Sequence, residues 1–431
     1  MKWRKPKNRV SRPGGVLLKD ILNVGHPLYR LAGVVNWGQF ERQFGKLYAA
    51  EMGRPALATR LLVGLHYLKS LYNVSDEVVV ASWVENPYWQ YFCGEDYFTH
   101  EFPCDPTSLV KWRHRVGVEG SEQMLKESLA AAQREAVLTP TEIKRVNVDT
   151  TVQEKAIAFP TDGRLYHKAR QALVRVARCC NFKLRQSYVR LGKRAVVNQG
   201  RYGAARQMKR ARRETRKLRT YLGRVLRNVE RGKLQLVSKQ EQVVSVARRI
   251  LTQQRTDHGK VYSVHAPEVE CIAKGKVHKH YEFGCKVPIV TTSRNNWIVG
   301  IDAAHDNPYD GATLKPALAQ VKRLTGVGPE EAFVDKGFRG QHYHPKGVRV
   351  YITGRRNLTP LLSKLLKRRA AIEPVIGHTK QDHGMNRNYL LGKVGDRINA
   401  MLSASAWNLK KLWRYYVAHP LSVPATGLFQ G

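Results

Sequence analysis

Glu373 stands between two cations at helical spacing. Arg369, Glu373 and Lys380 lie four and eleven residues apart within the segment 367–380, which on an α-helix places them within about 40° of one another. Ile372, Val375, Ile376 and Thr379 form the adjoining, mostly apolar stripe and would turn that face beside a core. A carboxylate held between two cations suits a metal ion next to a phosphate. Two further acids, Asp149 and Asp335, occupy strand contexts, the first within Arg145-Val-Asn-Val-Asp-Thr-Thr-Val152 and the second after Glu331-Ala-Phe-Val334. Cleaving or joining a phosphodiester builds charge on both the attacking and the leaving oxygen. Two divalent cations ~3.5–4 Å apart neutralise it, and Mg²⁺ prefers carboxylate oxygens. Asp302, Asp306 and Asp310 compete for the second carboxylate position, because Ile301-Asp302 also ends a strand.

The elements that must position these acids follow from periodicity. Val146, Val148, Thr150 and Val152 alternate with Asn147, Asp149 and Thr151, the pattern of a strand. Strand character returns at Tyr281–Thr292 and, after the turn Ser293–Asn296, at Trp297–Ile301, then at Glu331–Asp335 and Arg349–Thr353. Helices are predicted at 312–324, 359–380 and 396–417. Pro374 directly follows Glu373 and removes a helical N–H, so the helix must kink at Glu373 or a new one must begin at Pro374. Upstream, Leu57–Tyr72 has helical period, Ser75-Asp76-Glu77 reads as a capped helix start, and Asp105-Pro106 reads as a cap with proline at the first helical position. The chain is therefore expected to carry a basic N-terminal segment (1–54), a helical domain (55–140), and a mixed α/β domain (141–167 and 257–418). A basic helical insertion (168–256) and a C-terminal tail (419–431) complete the division.

The charge identifies the partner class. Lys and Arg number 74 against 34 Asp and Glu, a net charge of +40, and a hydrophobic content of 42% makes the chain a globular protein with a core. Such an excess favours a polyanion, nucleic acid first and a membrane surface second. Between Lys168 and Lys233 there are 22 Lys and Arg against Glu214 and Glu230 alone, half of the net charge. Three helices near 169–191, 202–228 and 238–255 would present it. A face so unopposed repels itself unless phosphates meet it, and Lys193, Arg194, Arg210, Arg212 and Arg213 are the named candidates. No run of 18 apolar residues exists, and the basic start lacks the apolar stretch of a secretory signal. The six cysteines contain no CxxC pair, so a reducing compartment, cytosol or nucleoid, is expected.

Other groupings are weaker. Tyr88, Trp89, Tyr91 and Phe92 could stack on bases but read more readily as core. His265, His278, His280 and Cys285 fit no standard zinc spacing. His378 and His383, close to Glu373 in sequence, could contact phosphate or orient water. A serine nucleophile has no elbow motif to support it.

The chain resembles the DDE transposases of bacterial insertion sequences, specifically the group of insertion sequence five. The resemblance is carried by Val148-Asp149-Thr-Thr-Val-Gln-Glu-Lys-Ala-Ile157, by 262–276 with Tyr281-Glu-Phe-Gly-Cys-Lys286, by Val334-Asp-Lys-Gly-Phe-Arg339, and by Ile372-Glu-Pro-Val-Ile-Gly-His-Thr-Lys380 with Asp382-His383 and Met385-Asn-Arg-Asn388. Trp112-Arg-His-Arg115 in the N-terminal helical region matches as well. The resemblance implies an RNase H-like mixed sheet flanked by helices, in which Asp149, Asp335 and Glu373 are the catalytic and metal-binding triad for Mg²⁺ or Mn²⁺, two ions together. It also implies a Tyr-Arg-Glu-Lys signature that Arg369, Glu373 and Lys380 match at the family's intervals, with Leu366 standing at the tyrosine position. Arg369, Lys380, Lys336, Arg339 and His378 would then face DNA beside the triad. Partners implied are double-stranded DNA, as terminal inverted repeats and as target, and a second copy of the chain on DNA. A nuclease that cuts without joining, or a DNA-binding protein derived from such an enzyme, shares most of these features.

Overall fold

The computed structural model describes residues 15–49, 55–273, 280–354 and 358–421; His278 lies outside them. Six strands form one sheet: β1 (Arg145–Glu154), β2 (Glu270–Ala273), β3 (Tyr281–Thr292), β4 (Ile298–Ile301), β5 (Glu331–Val334) and β6 (Arg349–Ile352). Their order is β2-β3-β1-β5-β6, with β4 also paired to β3. β3 runs antiparallel to β1 from Val146↔Thr292 to Glu154↔Gly284, whereas β5 and β6 run parallel to β1. β2 and β4 share the far edge of β3, one at each end. Gly284 permits the closest approach in this ladder, because a Cβ there would stand 1.9 Å from the Gln153 carbonyl oxygen.

The alternation expected along β1 is muted by burial. Asn147, Thr151 and Gln153 are as buried as Val146, Val148 and Val152, because helices cover both faces of the sheet. On one side lies the helix Asp310–Thr325, packed on β3 and β4. On the other, Ile372–Asp382 packs on β1, and the long helix Gly392–Ala418 reaches β4 and then crosses to the N-terminal helices. One apolar core runs through all of this, joining Leu31, Phe40, Leu65, Trp83 and Leu129 to Val148, Val290, Leu314, Ile372 and Leu409. The division expected at residue 55 therefore does not separate cores, since the helices Pro27–Val34 and Trp37–Phe44 contribute to the same one.

Local signals explain several element ends. Ser75 accepts the Val78 N–H (3.2 Å) and Asp105 accepts that of Thr107 (2.8 Å), with Pro106 at the first helical position. The helix begun there runs on to Arg134, across a kink at Gly117 (φ 61°, ψ −156°), a backbone conformation only glycine adopts at little cost. Trp89 and Phe92 are core, while Tyr88 stacks on His26 and Tyr91 on Tyr29.

The basic insertion differs from expectation in number. Four helices form it, Asp162–Cys179, Val189–Ala204, Met208–Arg231 and Ser238–Thr252, around a core of their own that includes Leu165, Leu173, Leu222, Leu226 and Ile250. The breaks fall where Asn181, Tyr188 and Arg206 adopt positive φ without a glycine or proline to announce it. The predicted 359–380 helix is also interrupted. Pro360–Arg368 passes through a 3₁₀ turn at Arg369–Ala371 into Ile372–Asp382, so Pro374 lies in a first turn, where its missing N–H leaves nothing unpaired.

A buried ion pair holds the N-terminal helices together. Arg113 donates to both oxygens of Asp76 (2.8 and 2.5 Å), and Lys69 adds a third bond at 2.7 Å. Burial pushes the Asp76 carboxyl up, but these cations outweigh it and hold it at about 2 against an ordinary 3.8. A depressed carboxyl stabilises the fold above its unfolded value and loses that contribution as pH falls through the folded one. Asp76→Asn is accordingly expected to cost about 2–4 kcal/mol at pH 7 in urea unfolding. The gap from wild type should close as the pH is lowered from 3.8 to about 2.

Candidate active site

Register brings the first two acids together. β1 and β5 pair in parallel through Arg145↔Glu331, Val146↔Ala332 and Asn147↔Phe333. Asp149 and Asp335 each lie two residues beyond the last of these partners, on the same face, at the carboxyl end of the parallel pair where a crevice opens. Asp149 Oδ1 accepts its neighbour Thr150's N–H at 2.7 Å, and Asp335 Oδ1 accepts the Gly337 N–H at 2.9 Å. Glu373 arrives from the helix packed on β1, with its side chain 67% exposed.

Arg369 ties the third acid to the first. Its Nη1 donates to Asp149 Oδ2 at 3.0 Å, and its Nη2 stands 3.9 Å from Glu373 Oε1. The guanidinium is only 13% exposed and so occupies the space between the two carboxylates. Burial pushes the Asp149 carboxyl above its ordinary value; Arg369 and the Thr150 N–H oppose this, and the charge of Asp335 adds to it. A desolvated carboxylate facing a second acid favours positive charge nearby, and a cation bound by oxygen fits that need.

The rivals for the second position separate clearly. Asp302 is held by Arg397 in two bonds (2.7 and 2.6 Å), and Asp306 is exposed, 3.5 Å from Lys393. Asp310 does reach the site. Its Oδ1 lies 2.9 Å from Lys286 Nζ and accepts the Thr150 hydroxyl at 3.0 Å. Gly337 lies between Asp310 and Asp335, since a Cβ on it would be 2.9 Å from one carboxylate and 3.0 Å from the other. Lys286 was not singled out by sequence, because one lysine in a long strand carries no signal until its partner is known.

Two stretches of the chain match known families. Residues 16–115 match the family described as Transposase domain (DUF772), and residues 352–413 match the one described as Transposase DDE domain. The second match contains Arg369, Glu373 and Lys380. Together the two matches support a DDE transposase of insertion sequences. Its relative in Rhizobium meliloti, an uncharacterized protein ORF8 in the nfe locus, is 55% identical over 206 residues, which cover 46% of this chain and 99% of that protein. No solved structure matches.

The remaining candidate residues of the transposase sit at varied distances from this centre. Lys336 and Arg339 are exposed on the turn that Asp335 caps. Lys380 lies about two helical turns beyond Glu373, lining a cavity of about 830 Å³ shared with Asn73, Arg113, Arg387 and Tyr389. His378 is turned to Asp382 at 2.8 Å, while His383 is buried beneath Ser70 and lowered by that burial to about 4, hence neutral. Leu366, at the signature tyrosine position, is 7% exposed and faces inward. Lys193, Arg194, Arg210, Arg212 and Arg213 are all exposed on two helices of the insertion, with Arg210 bonded to Gln207 at 3.0 Å. Among the described residues no helix is long and apolar enough to cross a membrane.

Arg369 lowers the Asp149 pKa, so Arg369→Gln should raise it further. A cation competes with that proton, and the acid limb of Mn²⁺ binding by the transposase is expected to move to higher pH. Calorimetric Mn²⁺ titrations of both proteins across pH would show it; an unmoved limb would separate Arg369 from Asp149 functionally.

Proposed function

We propose that this transposase hydrolyses a phosphodiester at each end of an insertion sequence and joins the freed 3′-hydroxyl to target DNA at the Asp149, Asp335 and Glu373 centre. The observation that carries the reading is the convergence of two strand-end carboxylates with a helix-borne glutamate through Arg369. The strand order, three antiparallel strands followed by two parallel ones, supports an RNase H-like catalytic domain. Mg²⁺ or Mn²⁺, bound as a pair, supplies Lewis acidity to the attacking and the leaving oxygen. Asp149 and Asp335 would hold the ions from the rigid sheet. Glu373, largely exposed, would close the set from its helix. Arg369 would exchange Asp149 for a DNA phosphate, since a guanidinium recognises either in the same forked geometry. Lys336, Arg339 and Lys380 would fix the strand on either side.

Double-stranded DNA would lie along the insertion and the N-terminal helices. The helix Met208–Arg231 exposes Arg212 and Arg213 while Leu218, Leu222 and Leu226 are buried, and phosphate contacts from its outer side would give affinity without reading sequence. Two element ends must be processed together, so a homodimer assembles on DNA. Replacing Arg212 and Arg213 by Ala should weaken DNA binding uniformly across sequences and lower the slope of log affinity against log salt by about 2. An unchanged slope would place the DNA elsewhere.

The decisive assay is strand transfer with Mn²⁺, a labelled element end and a plasmid. Wild type should yield joined product, while Asp149→Asn and Glu373→Gln should fall by at least ~10³-fold. Cutting without joining would make the protein a nuclease. Salt-sensitive binding with neither reaction would make it a DNA-binding derivative.

A further inference from the structure

A second polar cluster lies on the same face of the sheet as Asp149, four residues further along β1, or about 13 Å away. The bridge between Lys286 and Ala304, in which the Ala304 N–H donates to the Lys286 carbonyl (2.7 Å), lays the chain after β4 along β3 and sets His305 beside Cys285. The first turns of Gly392–Ala418 bring Asp396 from the other side. One donor atom from each of Cys285, His305 and Asp396 lies within 4.8 Å of the others. Cys285 and Asp396 are buried, and the His305 side chain is 9% exposed.

His305 is the anomaly. Both of its ring nitrogens are buried, and among the described residues neither has a hydrogen-bond partner. Nε2 stands 3.7 Å from Asp396 Oδ2 and Nδ1 stands 3.4 Å from Glu270 Oε1. These spacings are long for hydrogen bonds. The first is close to the separation of about 3.4 Å between two ligand atoms that share a tetrahedral ion at ~2.1 Å. The neighbours are already arranged. Asp396 Oδ1 accepts Lys155 (2.8 Å) and Asn388 (2.6 Å), which leaves Oδ2 toward the histidine. Glu270 is pinned by the N–H groups of Asp306 (2.6 Å) and Asn307 (2.9 Å), so it can hold Nδ1–H and present Nε2 to an ion, the usual support for a metal-bound histidine. Glu268 and Asp396 both pair with the Lys155 ammonium, Glu270 adds a third carboxylate beside His305, and buried charge left unbalanced is costly.

We propose that Cys285, His305 and Asp396 bind a zinc ion, separate from the catalytic centre, with water in the fourth position. Sulfur, nitrogen and oxygen donors together exclude Mg²⁺ and Ca²⁺, which take oxygen alone, and match Zn²⁺. The ion ties β3 and the last long helix to the loop that leads into Asp310–Thr325, whose first residue borders the active site. This inference does not rest on the strand-transfer reading.

Metal analysis of the full-length protein, desalted into metal-free buffer, tests it. Wild type and Asp149→Asn should each retain one zinc per chain, whereas His305→Gln and Cys285→Ser should lose it. Cobalt added to zinc-free wild type should give a thiolate-to-cobalt charge-transfer band that is missing in Cys285→Ser. Circular dichroism confirms that each variant is folded, and the cobalt titration of wild type needs no variant at all. Wild type that retains no zinc and gives no such band would overturn the proposal, leaving His305 as a side chain packed between Glu270 and Asp396. Zinc lost with Asp149→Asn would overturn it too, by placing the ion at the catalytic centre.

Discussion

A half-buried carboxylate on the central strand of a sheet covered on both faces is the constraint on which this structure turns. Burial and the charge of Asp335 push the Asp149 carboxyl above the ordinary value, so the ionised form needs help from a nearby cation. Arg369 supplies that help, and a bound cation can replace it. The surrounding core is continuous from the N-terminal helices to the far side of the sheet.

That continuity explains how distant segments of the chain fix one site. β1 and β5 are parallel neighbours whose register sets Asp149 level with Asp335, although the whole basic insertion lies between them in sequence. The insertion folds around its own core and leaves the sheet through β1 and returns through β2, so its charge can be carried without disturbing the acids. Glu373 owes its position to the break at Arg369–Ala371. A straight helix would have kept Arg369 and Glu373 in line, whereas the 3₁₀ turn lets Arg369 reach back to Asp149 while Glu373 stays open to solvent.

Much of this was legible in sequence because the signals were local. The alternation around Asp149, the caps at Ser75 and Asp105, and the proline after Glu373 each act within a few residues, and each element formed near its expected place. What stayed hidden depends on tertiary pairing. β2 is four residues long and exists only because β3 offers it an edge. The insertion's helices break at non-glycine residues of positive φ, which composition does not mark. Asp310 could not be told from Asp302 until Arg397 was seen to occupy the latter. Cys285 was weighed against the histidines near it in sequence, yet the histidine beside it in space is His305, delivered by a bridge no spacing rule encodes.

The central claim, that Asp149, Asp335 and Glu373 together line one metal-binding centre, is tested most directly by iron-directed backbone cleavage. With Fe²⁺ in place of Mg²⁺ and a reductant and peroxide added, hydroxyl radicals cut the chain beside the bound ion. The account predicts fragments ending near residues 149, 335 and 373 together, suppressed by excess Mg²⁺ and absent from Asp149→Asn. Cuts confined to one of these segments, or unchanged in Asp149→Asn, would contradict it.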